Sequence, residues 1–260
     1  MALIIPIWLR VAIIIVAGTC IGSFLNVVIV RLPRGRSIVR PSSRSYPWRS
    51  SIRAWDNLPI ISYLLNFGRC PKSGLFYSVR YLVVEILCPL IFLAIYAVHG
   101  WTMESLVYSL FASCLIAASF IDLELRIIPD SLTLGVWAVA IAMAVFQAKG
   151  YPLSLMDAVI GSVTGFLIFW ILSRSYYWLT GDEGLGGADV KLMGFIGAVL
   201  GLKGVVVSIL VGSLSGALIG VILMLAYRKG RRFPIPFGPF LAVGALVSVF
   251  QINILGLFGL

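Results

Sequence analysis

Residues 11–30, VAIIIVAGTCIGSFLNVVIV, form a continuous run without a single charged side chain. About 20 apolar residues is the length a helix needs to cross the hydrocarbon of a bilayer. In lipid every backbone N–H and C=O must be satisfied within the spanning structure, so such a run becomes a helix. Further runs of this kind recur along the chain. Composition leaves no soluble alternative: of 260 residues, 60% are hydrophobic and 12% charged, too few polar side chains to coat a globule. The fold class expected is therefore an all-α polytopic membrane protein. Basic residues follow the first run instead of preceding it, and no convincing small-residue cleavage site stands before Arg31. A retained first helix is expected, not a cleaved signal peptide.

Hydropathy predicts about eight spans, near 9–30, 80–98, 104–121, 131–148, 156–173, 188–202, 204–227 and 235–257. The sixth is the weak one, because its uninterrupted apolar part, LMGFIGAVLGL, has the length of a re-entrant segment. Charge decides it. If the sixth segment crosses, the loops within 31–80, 122–130, 174–191 and 228–232 share one side. That side then holds 17 of the 20 lysines and arginines, leaving Arg10, Lys149 and Lys203 on the other. Basic loops stay in the cytoplasm. Eight spans with both termini outside the cytoplasm are expected. The sixth helix then has to draw on a glycine-rich stretch and on Asp189 to reach full length.

The net charge of +10 has the same explanation. The basic residues cluster in 31–80 and 228–232, as a membrane-facing surface requires, and nucleic acid is not expected as a partner. The organisation predicted is a first transmembrane helix (1–30), a cytoplasmic basic loop (31–79) and a seven-helix membrane domain (80–260). Within the loop, WDNLPIISYLLNFG is amphipathic and suited to lie along the lipid surface. Cys20, Cys70, Cys88 and Cys114 show neither metal nor disulfide spacing.

Ten acidic residues can be weighed one by one. Asp56, Glu104, Asp157, Asp182 and Glu183 fall in loops or at helix ends, where water reaches them. Glu85 lies one turn inside the second span, either paired with Arg80 or Arg126 or functional. Asp130 follows Pro129 at the start of the fourth span, and that pattern is more often a helix cap than a catalyst. Glu124 is expected in a wet turn. Asp122 and Asp189 differ. Asp122 follows SCLIAASFI with no polar buffer, and Asp189 follows Gly186, Gly187 and Ala188 at comparable depth. A charged side chain near the bilayer centre costs about 2.5–3.5 kcal/mol on insertion scales, so intramembrane acids need a partner. Two such acids can serve each other. Like charges held close cannot both ionise, and the pair holds one shared proton. One carboxylate can then activate water while the other donates a proton. Small residues beside the acid would let an extended peptide approach. On physics alone a peptidase, a proton-coupled transporter and a structural helix–helix pair stand at comparable odds.

A resemblance narrows the choice. IGSFLNVVIVRLPRG (21–35), WDNLPIISYLL, VRYLVVEIL (79–87), IDLELRIIPD and GDEGLGGADVKLMGFIGAVLG occur in the order of the motifs of the type IV prepilin peptidases, which the chain resembles over nearly its whole length. The resemblance implies an eight-span intramembrane aspartic peptidase of the inner membrane with its site toward the cytoplasm. It carries the catalytic acids to Asp122 and Asp189. It implies prepilin or pseudopilin substrates of a pilus or type II secretion system, cut after a glycine behind a basic leader. It further implies methylation of the new amino terminus from S-adenosylmethionine, with the loop 31–79 as the associated region. The resemblance leaves Gly186, Gly187 and Ala188 as substrate-approach residues and Lys191, Glu85 and Asp130 as possible supports.

Two departures follow. Where many members carry two C-x-x-C pairs in the loop, this chain has Ser45, Trp48, Cys70 and Ser73. One thiol cannot build a four-ligand zinc site, so no zinc is expected. The second glycine of the G-x-G-D motif is Ala188, which would be strained if that position required a positive φ. The alternative functions are a proton-coupled transporter or an inactive scaffold using the same acids. The oligomeric state is not encoded in any motif.

Overall fold

The computed structural model describes residues 6–39, 78–145, 153–182, 186–227 and 236–250. The described residues are helical throughout, without strands. Five helices among them are long and apolar enough to cross a membrane: Ile7–Arg34, Val79–His99, Met103–Leu125, Leu155–Thr180 and Gly187–Ala226. Two shorter apolar helices are Ser131–Val145 and Gly238–Val249. This is a polytopic, all-α membrane protein. Most of the 31–79 loop and the 228–232 cluster lie outside the described residues.

The chain divides into two compact units, Met1–Trp101 and Thr102–Leu260. In the first, α1 (Ile7–Arg31) packs on α2 (Val79–His99). Gly18 and Gly22 make that approach possible. A Cβ at Gly18 would stand 2.5 Å from the Cα of Pro89, and one at Gly22 2.9 Å from the Cα of Glu85. Small residues four apart are the usual means by which helix backbones meet in lipid, where packing replaces the hydrophobic effect. The Asn26 side chain donates to the Tyr81 carbonyl at 3.1 Å, tying α1 to the start of α2.

The second unit comprises α3 (Met103–Leu125), α4 (Ser131–Val145), α5 (Leu155–Thr180), α6 (Gly187–Tyr227) and α7 (Gly238–Val249). α6 packs on both α5 and α7, and α3 packs on α7. The α5–α6 seam is again built on glycine: a Cβ at Gly161 would stand 2.5 Å from the Gly197 carbonyl oxygen, and one at Gly165 2.5 Å from that of Met193. Trp137 Nε1 of α4 donates to Ser162 Oγ of α5 at 2.6 Å, and its ring stacks on Phe166. Phe111 of α3 meets Phe195 of α6 with ring centroids 5.1 Å apart.

At 41 residues, α6 would run about 60 Å if straight, roughly twice the hydrocarbon thickness. It is not straight. Gly201 has φ 67° and ψ −169°, a backbone conformation that essentially only glycine adopts, and it divides the element into arms 187–200 and 202–227. The predicted boundary between sixth and seventh spans, at residue 203, lies two residues beyond this break. Other predicted ends shift. α3 runs to Leu125, one turn past the expected 121, so Glu124 is helical and not in a turn. α5 continues to Thr180, because its SRSYYWLT tail has no helix breaker before Gly181.

Candidate active site

Asp122 and Asp189 both belong to the second unit, and both are buried, at 6% and 8% exposure. Asp122 lies one turn from the end of α3. Its own carbonyl accepts from the Arg126 amide at 2.9 Å, and Arg126 caps the helix at φ 56°, ψ 34°, the one left-handed non-glycine among the described residues. The Asp122 carboxylate reaches across the unit: its Oδ2 accepts from the Gly238 amide at 3.1 Å.

Asp189 occupies the first turn of α6. Its amide donates to the Gly186 carbonyl at 3.1 Å, and its carboxylate interacts in return with the Gly186 backbone amide. This is the acid's half of a capping box, the residue at the third helical position reaching back to the amide at the helix start, with the Gly186 carbonyl in place of a capping side chain. An acid in the first turn also gains about 0.3–1 kcal/mol from the helix dipole, a partial offset to its burial. The two carboxylates are near enough for the charge on Asp122 to act on Asp189. The depth argument from sequence thus led to two acids that the fold brings into one electrostatic unit.

Ala188, the departure from G-x-G-D, sits in this same helical turn and has no positive φ. A glycine's conformational freedom is not used there, so alanine is accommodated without backbone strain. Gly186 and Gly187 are exposed. A Cβ added at Gly187 would meet no protein atom within 4 Å, and one at Gly186 would meet Asp189 Oδ2 at 3.7 Å. The flank of Asp189 is therefore open. It continues into a groove of about 600 Å³ between α6 (Gly187, Val190 and Lys191) and α5 (including Phe166, Trp170 and Arg174).

Asp130 is not the cap expected of it. Its carboxylate makes no capping hydrogen bond to the helix that follows. It pairs instead with Lys191 Nζ, two positions beyond Asp189. The physical reason is reach: a long cation on α6 offers the carboxylate a charge-assisted partner, stronger than an amide. Lys191 therefore neither snorkels freely nor points at the acids alone. Glu85 lies in the first unit, buried on α2 where that helix passes Gly22. Gly238 was missed in the sequence. The nearest signal is its place in PFGPF, a glycine–proline pair at a helix start, which reads as a capping motif and not as a partner for an acid 116 positions away.

Among the described residues no group of three or more His, Cys, Asp or Glu side chains is arranged to hold a metal ion. Ser45, Trp48, Cys70 and Ser73 lie outside the described residues.

Comparison with known proteins gives matches over most of the chain. Residues 16–99 match the model of the bacterial peptidase A24 N-terminal domain, and residues 109–221 match that of the type IV leader peptidase family. A prepilin leader peptidase/N-methyltransferase of Neisseria gonorrhoeae is 35% identical, over 92% of this chain and 89% of the relative. The protein of the same description from Pseudomonas putida is 34% identical, over 90% and 88%. That from Aeromonas hydrophila is 34% identical, over 93% and 91%. No solved structure matches the chain.

Proposed function

The chain belongs to the type IV leader peptidase family, and on that premise we propose that Asp122 and Asp189 are the acids with which it cleaves prepilin or pseudopilin leaders. The activity follows from the family: the relatives are prepilin leader peptidases. The observation that carries the assignment of the acids is their shared burial in one unit, each against a helix-start amide and within electrostatic reach of the other. Such a pair holds one proton. The ionised member takes a proton from water, which attacks the scissile carbonyl, and the protonated member delivers its proton to the departing amine.

The open flank at Gly186 and Gly187 and the groove beside it would admit an extended substrate backbone. Charge distribution supports a site at the cytoplasmic face of the inner membrane, since 17 of 20 basic residues then share that side. The break at Gly201 serves as the boundary between two spans, giving eight in all with the shorter helices included. By the same reading 80–260 is the peptidase domain and 31–79 a cytoplasmic loop.

The relatives' names include an N-methyltransferase activity, and S-adenosylmethionine would supply the methyl group for it. The loop to which that reaction is assigned is described only at its edges.

The test is cleavage of a prepilin by Asp122→Asn and by Asp189→Asn, each made separately. Both variants abolish leader removal while remaining inserted in the membrane. Normal processing by either one would sink the pairing. Asp130→Asn retains measurable cleavage; if it were dead and Asp122→Asn active, the wrong acid of the IDLELRIIPD motif would have been chosen.

A further inference from the structure

Among the described residues, the amide of Gly238 is the one polar group of another helix bonded to the Asp122 carboxylate, at 3.1 Å and buried. The start of α7 explains why that amide is available. The first N–H groups of a helix have no partner within it. Here Pro239 has no N–H to offer, and the amides of Phe240 and Leu241 both donate to the Phe237 carbonyl. Gly238 is left with a free donor, and a buried donor left unsatisfied is costly.

The residue type is explained too. Gly238 is not among the glycines of positive φ, so its backbone does not require glycine. Space does. A Cβ there would stand 2.8 Å from Asp122 Oδ2, 3.3 Å from Cγ and 3.3 Å from the Cδ1 of Ile128. The missing side chain is the volume that the carboxylate fills.

We infer that Gly238 is a positioning residue: its amide pins Oδ2 of Asp122, and its lack of a side chain leaves room for that carboxylate, so that the second oxygen is held toward the chemistry. The terminal torsion of an aspartate is broad and roughly two-fold, so an untethered carboxylate samples many directions. Holding one oxygen fixes the other. The oxygen that accepts the amide is not the one that trades the proton, so proton exchange with water or with Asp189 runs through Oδ1. This inference rests on Asp122 being one of the catalytic acids.

The experiment uses the full-length protein in proteoliposomes with a prepilin substrate. Gly238→Ala lowers kcat about 10–100-fold, the scale of a misplaced catalytic group, while KM stays within about two-fold. Replacing Gly238 by glycolic acid, through nonsense suppression, removes the N–H without adding an atom in the carboxylate's space; it lowers kcat at least about 5-fold, roughly 1 kcal/mol of transition-state stabilisation. Both changes alter the pH–rate profile. Gly244→Ala is the control. It crowds the same helix against the Ser208 backbone, at 2.7 Å, without touching Asp122, and it leaves kcat per folded protein and the pH–rate profile unchanged. Wild-type kcat in either Gly238 variant overturns the inference, as does an equal loss in Gly244→Ala. Asp122→Asn is measured alongside. If it is inactive while Gly238→Ala is normal, only the role of Gly238 falls; if it is active, the pairing of the acids falls as well.

Discussion

Lys191 of α6 and Asp130 at the head of α4 form an ion pair across 61 positions of sequence. The pair joins the two motifs that carry the buried acids, since Asp130 closes the segment begun by Asp122 and Lys191 follows Asp189 within one turn. Its side chains are 33% and 65% exposed. An exposed pair contributes little stability, roughly 0.2–1 kcal/mol. Its value is geometric, because it sets where the first turn of α6 stands relative to the IIPD segment.

A double-mutant cycle tests that statement. Lys191→Met and Asp130→Asn each lower kcat/KM about 2–5-fold, and the double variant is no worse than the poorer single one. Unfolding in mixed micelles shifts by less than about 1 kcal/mol in all three. Additive losses in kcat/KM would mean that the two side chains act separately.

The pH dependence of cleavage reports the shared proton. A pair that works with one proton gives a bell-shaped kcat profile, with activity lost at low pH when both acids are protonated and at high pH when neither is. The two limbs are properties of the pair and do not belong to either residue alone. Rates measured in proteoliposomes buffered equally on both sides, across the range in which the protein stays folded, check this. A flat profile would exclude the acid–base cycle.

Glycines of the α5–α6 seam should govern stability, and the glycine beside Asp189 should govern substrate. Gly161→Ala drives a methyl group into the backbone of Gly197 and Gly201. Overpacking of this kind costs about 1–3 kcal/mol, read from unfolding in mixed micelles. Gly187→Ala meets nothing. It leaves stability within about 0.5 kcal/mol and raises KM for the prepilin if the peptide passes there. An unchanged KM would remove Gly187 from the approach path.

Gly201→Ala separates conformation from crowding. The nearest atom to an added Cβ is the flexible end of Leu153, at 3.4 Å, so space is adequate. The backbone angles are not adequate for an L side chain. Destabilisation of about 1–3 kcal/mol is expected from backbone strain alone, checked by the same unfolding measurement. Wild-type stability would mean that α6 does not need its break.

The membrane fold was legible because hydropathy acts over twenty residues at a time and tolerates small errors of register. Asp122 and Asp189 were legible because an acid in an apolar run is conspicuous and needs a partner. Sequence did not reveal which neighbour each acid takes. The tie between Asp122 and Gly238 depends on how α3 and α7 pack, and no local pattern encodes that. Asp130 was misread for a related reason. Proline followed by Asp is a sound local cap signal, but a lysine brought by another helix outcompetes the local amide. Similarly, hydropathy sets the boundary between the sixth and seventh spans at residue 203. Only the backbone angles, with positive φ at Gly201 and helical geometry at Gly204, put the break two residues earlier.

The angles at Gly201 have a stereochemical consequence. Reflected through a mirror, they fall in the polyproline region, an unstrained conformation for an ordinary residue. At this point the chain adopts the comfortable geometry of a D-amino acid, and glycine is the achiral compromise that ribosomal synthesis permits. In a protein assembled by chemical ligation, D-alanine at position 201 would meet the break with unstrained backbone angles, whereas L-alanine at the same position would not.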